Sequence, residues 1–195
     1  MAKGSGGTRG AAGGGSGTRS LDSASNRILD LVSRGSWEDL SSSEREKLLD
    51  AADKMADKLA NSVEDYEKAG VMDSLRAYAG SGFKYINDAA LGKSTGDADW
   101  DAELSGHIKN IDKAIGMRKL KKDIIVWRGS NSSESTSGRY VSVSLHASVS
   151  DRFRTEKNMH AFRIPKGTHF AYNNENFEYE VMLPRGFNLN KYKIK

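Results

Sequence analysis

The feature that most constrains this chain is a change of hydrophobic period near Lys122. Before it, apolar residues recur at helical spacing; after it, they alternate or form short runs bounded by turn residues. A block of helices followed by a block of strands is not the alternating order of a parallel α/β sheet. The order predicts an α+β fold, with N-terminal helices followed by a mainly antiparallel, two-sheet β core.

In the first block, Leu21, Ala24, Ile28, Leu31 and Val32 predict a helix stopped by Gly35. Ser43-Glu44-Arg45-Glu46 fits a capping box, in which the serine and the later glutamate satisfy free helix amides reciprocally. Leu48, Leu49, Ala52, Met55, Ala56 and Leu59 then form one apolar stripe, and Asp50, Asp53, Lys54, Asp57 and Lys58 read as its solvated face. Val71–Tyr78 predicts a short helix ended by Gly80-Ser81-Gly82. Phe83–Leu91 predicts another, capped by Gly92. Asp101–Met117 carries Leu104, Ile108, Ile111 and Ile115 on one helical face. In the second block, strands are predicted at Ile124–Arg128, Tyr140–Leu145, Met159–Ile164, His169–Tyr172, Phe177–Leu183 and 187–194, with one or two helical turns in Ala147–Arg154.

Residues 1–20 are Gly, Ser, Ala and Thr around Lys3, Arg9 and Arg19, with no acid. Such a segment cannot bury enough apolar surface to offset its ordering entropy, so a disordered tail is expected there and a single domain over 21–195, mainly helical over 21–117 and mainly β over 118–195. Cysteine is absent, which excludes disulfides, thiolate metal sites and thiol nucleophiles. The four histidines show no metal-ligand spacing, and no metal is expected. The net charge of +4 admits an anionic ligand or nucleic acid without requiring either. No apolar run reaches membrane-spanning length, and no hydrophobic segment follows Lys3 and Arg9. The expectation is a monomer made in the cytosol without a signal peptide and without a membrane partner.

Polar chemistry recurs at three strand positions of the second block. Arg128 closes the apolar run IIVW, where an arginine can present a fixed fork to phosphate or carboxylate. Ser142 and Ser144 share one face of YVSVSL and can orient a neighbouring carboxylate; the solvent side of a strand is the plainer reading. In Phe177–Gly186, FEYEVMLPRG, alternation predicts a strand with Glu178 and Glu180 on one face, about 7 Å apart. Two carboxylates that close raise each other's pKa unless a cation or donor covers them. A polar outer strand face, an ion pair with Arg128 and a glycosidase-like carboxylate pair all fit these residues alone.

The order Arg, Ser-x-Ser, Glu-x-Glu resembles the arginine–serine–glutamate class of mono-ADP-ribosyltransferases, the bacterial exoenzyme, binary-toxin and phage enzyme type. The resemblance runs from about Tyr78 to Arg185. Trp127-Arg128-Gly129 resembles the family's aromatic-Arg-Gly. Tyr140-Val141-Ser142-Val143-Ser144 resembles its aromatic-x-Ser-Thr-Ser, with Val143 in place of threonine. Phe177–Gly186 resembles its Glu-x-Glu strand, including the trailing Leu-Pro-Arg-Gly. Tyr78 with Phe83-x-x-Ile86-Asn87 resembles the helical element that borders the dinucleotide, with Phe83 replacing a tyrosine. Phe153 matches the aromatic that packs on nicotinamide.

The resemblance implies the ADP-ribosyltransferase fold, NAD as substrate and a target protein as acceptor. Glu180 is implied to stabilise the cationic ribose and hold its hydroxyl. Ser142 is implied to aim Glu180, and Arg128 to bind the NAD phosphates. Gly129 is implied to offer backbone groups to the nicotinamide amide, and Tyr78, Phe83, Asn87 and Phe153 to complete the pocket. Glu178 is implied to orient the nucleophile, its glutamate identity going with arginine as acceptor. The loop Tyr172–Phe177 is implied to touch the target, through Tyr172 and Phe177. Action in a host or target-cell cytoplasm follows from the same resemblance; the alternatives are water as acceptor and a catalytically inactive binding or structural module of the same fold.

Overall fold

The computed structural model describes residues 40–60, 62–129, 137–152, 159–174 and 177–194. The predicted tail, the helix from Leu21 and Phe153 lie outside them. The elements are α1 (Ser42–Ala60), α2 (Val63–Lys68), α3 (Met72–Ala77), a π-helical turn (Tyr78–Gly82), α4 (Phe83–Ala90), α5 (Ala98–Gly116), β1 (Ile124–Gly129), β2 (Val141–Ser144), α6 (Ala147–Arg152), β3 (Met159–Ile164), β4 (Ala171–Asn173), β5 (Glu180–Leu183) and a closing 3-10 turn (Leu189–Tyr192).

Helices precede strands, as the period change predicts. The described strands form one five-stranded sheet rather than two, in the order β3-β1-β2-β5-β4 with every neighbouring pair antiparallel. In place of the expected last strand stands the 3-10 turn, followed by one isolated bridge, Lys193 to Phe162.

Both faces of the sheet centre are buried, which explains why β5 is apolar at successive positions. Val181 and Leu183 pack with Ala52 and Ala56 of α1 and with Val126, Val143 and Phe162. Met182, between them, points the other way, into a cluster of Tyr66, Leu75, Ile86, Leu104 and Ile111 from α2–α5. Strand period places consecutive side chains on opposite faces, so the helical block covers one face and α1 the other.

Local chemistry sets the helix starts. The capping box forms two residues earlier than predicted. The Ser41 amide and hydroxyl donate to Glu44 Oε2 at 2.9 and 2.7 Å, and the Glu44 amide returns a bond to Ser41 Oγ at 3.3 Å. Asp97 caps α5, accepting from the amides of Asp99 and Trp100, each at 3.0 Å. Gly80-Ser81-Gly82 interrupts the helix as predicted: Gly80 leaves helical backbone (φ −84°, ψ −142°) inside the π turn, and α4 resumes at Phe83.

Candidate active site

The site gathers where β1, β2 and β5 lie side by side beneath the π turn. In the β2–β5 register Ser142 opposes Met182 and Ser144 opposes Glu180. Paired residues, and residues two apart, share a face, so both serines and Glu180 lie on the side covered by the helical block. The solvent-side reading of the serines is therefore replaced: Ser144 is buried and Ser142 half-buried.

Glu180 is 7% exposed. The Ser142 hydroxyl donates to its Oε1. Its Oε2 is buried and has no hydrogen-bond partner. Burial pushes this carboxyl up to about 7, Ser142 and Arg128 pulling down and Glu178 pushing further up. A carboxyl buried with one oxygen held and the other free is costly in a fold and useful in a site.

Arg128, near the end of β1, donates through Nη1 to the Ser142 carbonyl, so the arginine and the serine are fixed to each other. Gly129 follows it at the last position of β1. Above them, the buried Tyr78 hydroxyl accepts from Asn87 Nδ2 at 3.1 Å and faces the Tyr140 carbonyl at 3.5 Å. Burial raises the Tyr78 pKa, and the Glu180 carboxylate raises it further. Asn87 also accepts from the Tyr140 amide at 2.9 Å. It thus ties α4 to the start of β2. Phe83 begins α4 and is 54% exposed, free to meet a ligand from the rim.

The structure overturns the expected side-by-side placement of Glu178 and Glu180. Strand β5 begins only at Glu180. Phe177 and Tyr179 adopt left-handed backbone with φ of 56° and 50°. A β strand requires negative φ, so alternation fails and Glu178 lies in the approach to the strand, partly exposed. Such conformations cost about 1–3 kcal/mol each for residues other than glycine and persist only where surroundings impose them. Here Ser144 Oγ donates to the Glu178 carbonyl at 2.7 Å, and the Leu145 amide donates to the Tyr179 carbonyl at 3.1 Å. Each serine of the Ser-x-Ser pair therefore holds one glutamate: Ser142 by its carboxylate, Ser144 by its backbone.

A second correction concerns Tyr172. It is fully buried in β4 within the apolar core, where no target protein reaches it. Phe177, by contrast, is 77% exposed beside Glu178. Asp112, which motif reasoning missed, ties the other end of β2 and β5. The Tyr140 hydroxyl donates to Asp112 Oδ1 at 2.8 Å, and Arg185 donates to Asp112 at 2.6 and 3.3 Å. The signals for this tie were its two donors, Tyr140 of the serine motif and Arg185 of the trailing Leu-Pro-Arg-Gly. Among the described residues no group of His, Asp and Glu is arranged to hold a metal ion.

Comparison with known proteins gives the same direction. The model of the ADP-ribosyltransferase exoenzyme family matches residues 50–137. The ADP-ribosylating toxin BECa of a binary enterotoxin of C. perfringens, solved with NADH, superposes with a TM-score of 0.54 at 18% identity, covering 70% of this chain and 40% of that one. Plx2a, an ADP-ribosyltransferase toxin from Paenibacillus larvae, gives 0.54 at 19% identity, covering 73% and 84%. This chain thus spans less than half of the binary-toxin component and most of Plx2a. No curated protein matches it in sequence.

Proposed function

From a chain that has the fold of the bacterial ADP-ribosylating toxins and matches the ADP-ribosyltransferase exoenzyme model, we propose an enzyme that transfers ADP-ribose from NAD to a protein, with an arginine side chain as acceptor. The observation that carries the reading is Glu180: buried, aimed by Ser142 and left with one unpartnered oxygen.

That oxygen suits a ribose hydroxyl donor. When the bond between nicotinamide and ribose breaks, the electron pair leaves with nicotinamide and positive charge develops on the ribose. A fixed carboxylate beside it stabilises that charge without reorganisation. Glu180 must be ionised to do so, and the cationic nicotinamide of bound NAD favours the ionised form against the cost of burial. Arg128 binds the phosphates as a charge-assisted donor. Tyr78 and Asn87 hold the helical wall of the pocket in place. The acceptor guanidinium meets Glu178, which orients it and takes the proton released as the new carbon–nitrogen bond forms. A planar guanidinium suits a carboxylate partner, which is the basis for arginine as acceptor.

The test is incubation of the wild type and Glu180→Ala with labelled NAD and a cell lysate, scoring protein label and free nicotinamide together. Label on discrete proteins, released by hydroxylamine and absent with Glu180→Ala, is the expected result. Nicotinamide release without labelled protein makes water the acceptor. No release from the wild type removes the enzymatic reading.

A further inference from the structure

Between the two glutamates, outside the site's direct contacts, stands Tyr179. Tyr179 is left-handed, and its ring and hydroxyl meet residues from distant parts of the chain. Its ring stacks on His146, centroids 5.0 Å apart and planes 20° from parallel. Its hydroxyl faces Asp53 of α1, and with burial that carboxylate raises the tyrosine pKa. His146 Nε2 lies 4.0 Å from the same Asp53, and His146 Nδ1 lies 2.6 Å from Ser148 Oγ. The backbone is bound as well. The Tyr179 amide donates to Asn174 Oδ1 at 3.1 Å, and the His146 amide donates to Ser144 Oγ at 3.0 Å, the hydroxyl that holds the Glu178 carbonyl.

We propose that His146, Tyr179 and Asp53 form a clamp that positions Glu178 for the acceptor. None of the three touches the reacting atoms; they are positioning residues. The clamp rests on the transferase reading given above. Its chemistry is specific to Glu178. Glu180 has its own anchor in the Ser142 hydroxyl and sits in the strand ladder, paired with Ser144 and Asn173. Glu178 precedes the ladder, and its direction depends on the left-handed turn at Tyr179. A left-handed tyrosine relaxes to negative φ once its ring loses its support, because nothing intrinsic favours that conformation. Relaxation rotates Glu178 away while Glu180 stays in place. Loosening the clamp therefore separates the two half-reactions: cleavage of NAD continues and capture by the acceptor fails.

The experiment compares wild type, His146→Ala and His146→Phe. Two readouts are taken on each folded protein: the ratio of protein labelling to nicotinamide release, and the intraresidue amide-to-α-proton NMR contact of Tyr179, which is strong only for left-handed backbone. His146→Ala is expected to lose the NMR signature and to lower the ratio about tenfold, roughly the effect of one lost orienting interaction, with the KM for NAD within about twofold. His146→Phe keeps a stacking ring and is expected to restore both. A Tyr179 signature that persists in His146→Ala overturns the clamp. A lost signature with an unchanged ratio overturns its positioning role. A wild type that shows the signature but releases no nicotinamide overturns the transferase reading instead, and the positioning role with it.

Discussion

Glu180 couples the stability of the fold to the acidity of its site. Burial raises its carboxyl from 4.5 to about 7. The unfolded chain releases this proton at the lower value and the folded chain holds it to the higher. The contribution to stability is therefore complete below about pH 4.5 and lost as pH rises through about 7, a difference of about 3 kcal/mol. Glu180→Gln removes the titration. Its urea midpoint is expected to stay level from about pH 5 to 8 while that of the wild type falls, and its nicotinamide release to drop at least about 100-fold. Tyr172 offers a complementary case. Its hydroxyl is buried without a partner, and burial pushes its pKa up. Tyr172→Phe deletes an unsatisfied polar group and nothing else, so chemical denaturation is expected to show a gain of about 1 kcal/mol. Protein labelling should be unaltered, as befits a core residue.

At the scale of elements, two joints hold the site. The first is the π turn between α3 and α4, which brings Tyr78 over Ser142 and Glu180. A methyl group at Gly82 would stand 2.5 Å from the Ala77 carbonyl oxygen and 3.2 Å from its carbon, both backbone atoms. Gly82→Ala is expected to cost about 2 kcal/mol in urea denaturation, since the backbone must shift to admit the methyl. The second joint is Asp112 on α5, which binds Tyr140 before β2 and Arg185 after β5. It fixes the two central strands to the helical block at the end remote from Glu178. Asp112→Ala is expected to cost about 1–2 kcal/mol, read as a lower urea midpoint, because two donors lose their shared acceptor. The motif that ends in Leu-Pro-Arg-Gly thus has a structural reason for its arginine.

At the scale of the whole molecule, the helical block packs on the sheet face that carries Ser142 and Glu180, and the approach to β5 lies at its exposed edge. Phe177 stands on that edge, almost wholly in solvent. Phe177→Ala is expected to leave the melting midpoint unaltered and to raise the KM for the protein acceptor about tenfold, the usual weight of an exposed aromatic anchor once buried by a partner. The block order is legible in the change of period at Lys122. The sequence also carries the main helices and strands and the absence of thiol chemistry, because period and composition are local and survive in a one-dimensional reading; the pairing of Ser142 with Glu180 came from the family resemblance, not from alternation. Tertiary structure alone decided the rest. Asp53 read as a solvated helix face and His146 as a scattered histidine, yet both converge on Tyr179, from 126 and 33 residues away along the chain. The alternation of Phe177–Leu183 predicted a strand through both glutamates, and the contacts around Tyr179 reversed its φ instead. Tyr172 carries the same aromatic character as Phe177, and only its place in β4 sends it into the core. A period reports which side chains can share a face. Which face is covered, and by what, is settled by contacts between residues far apart in sequence.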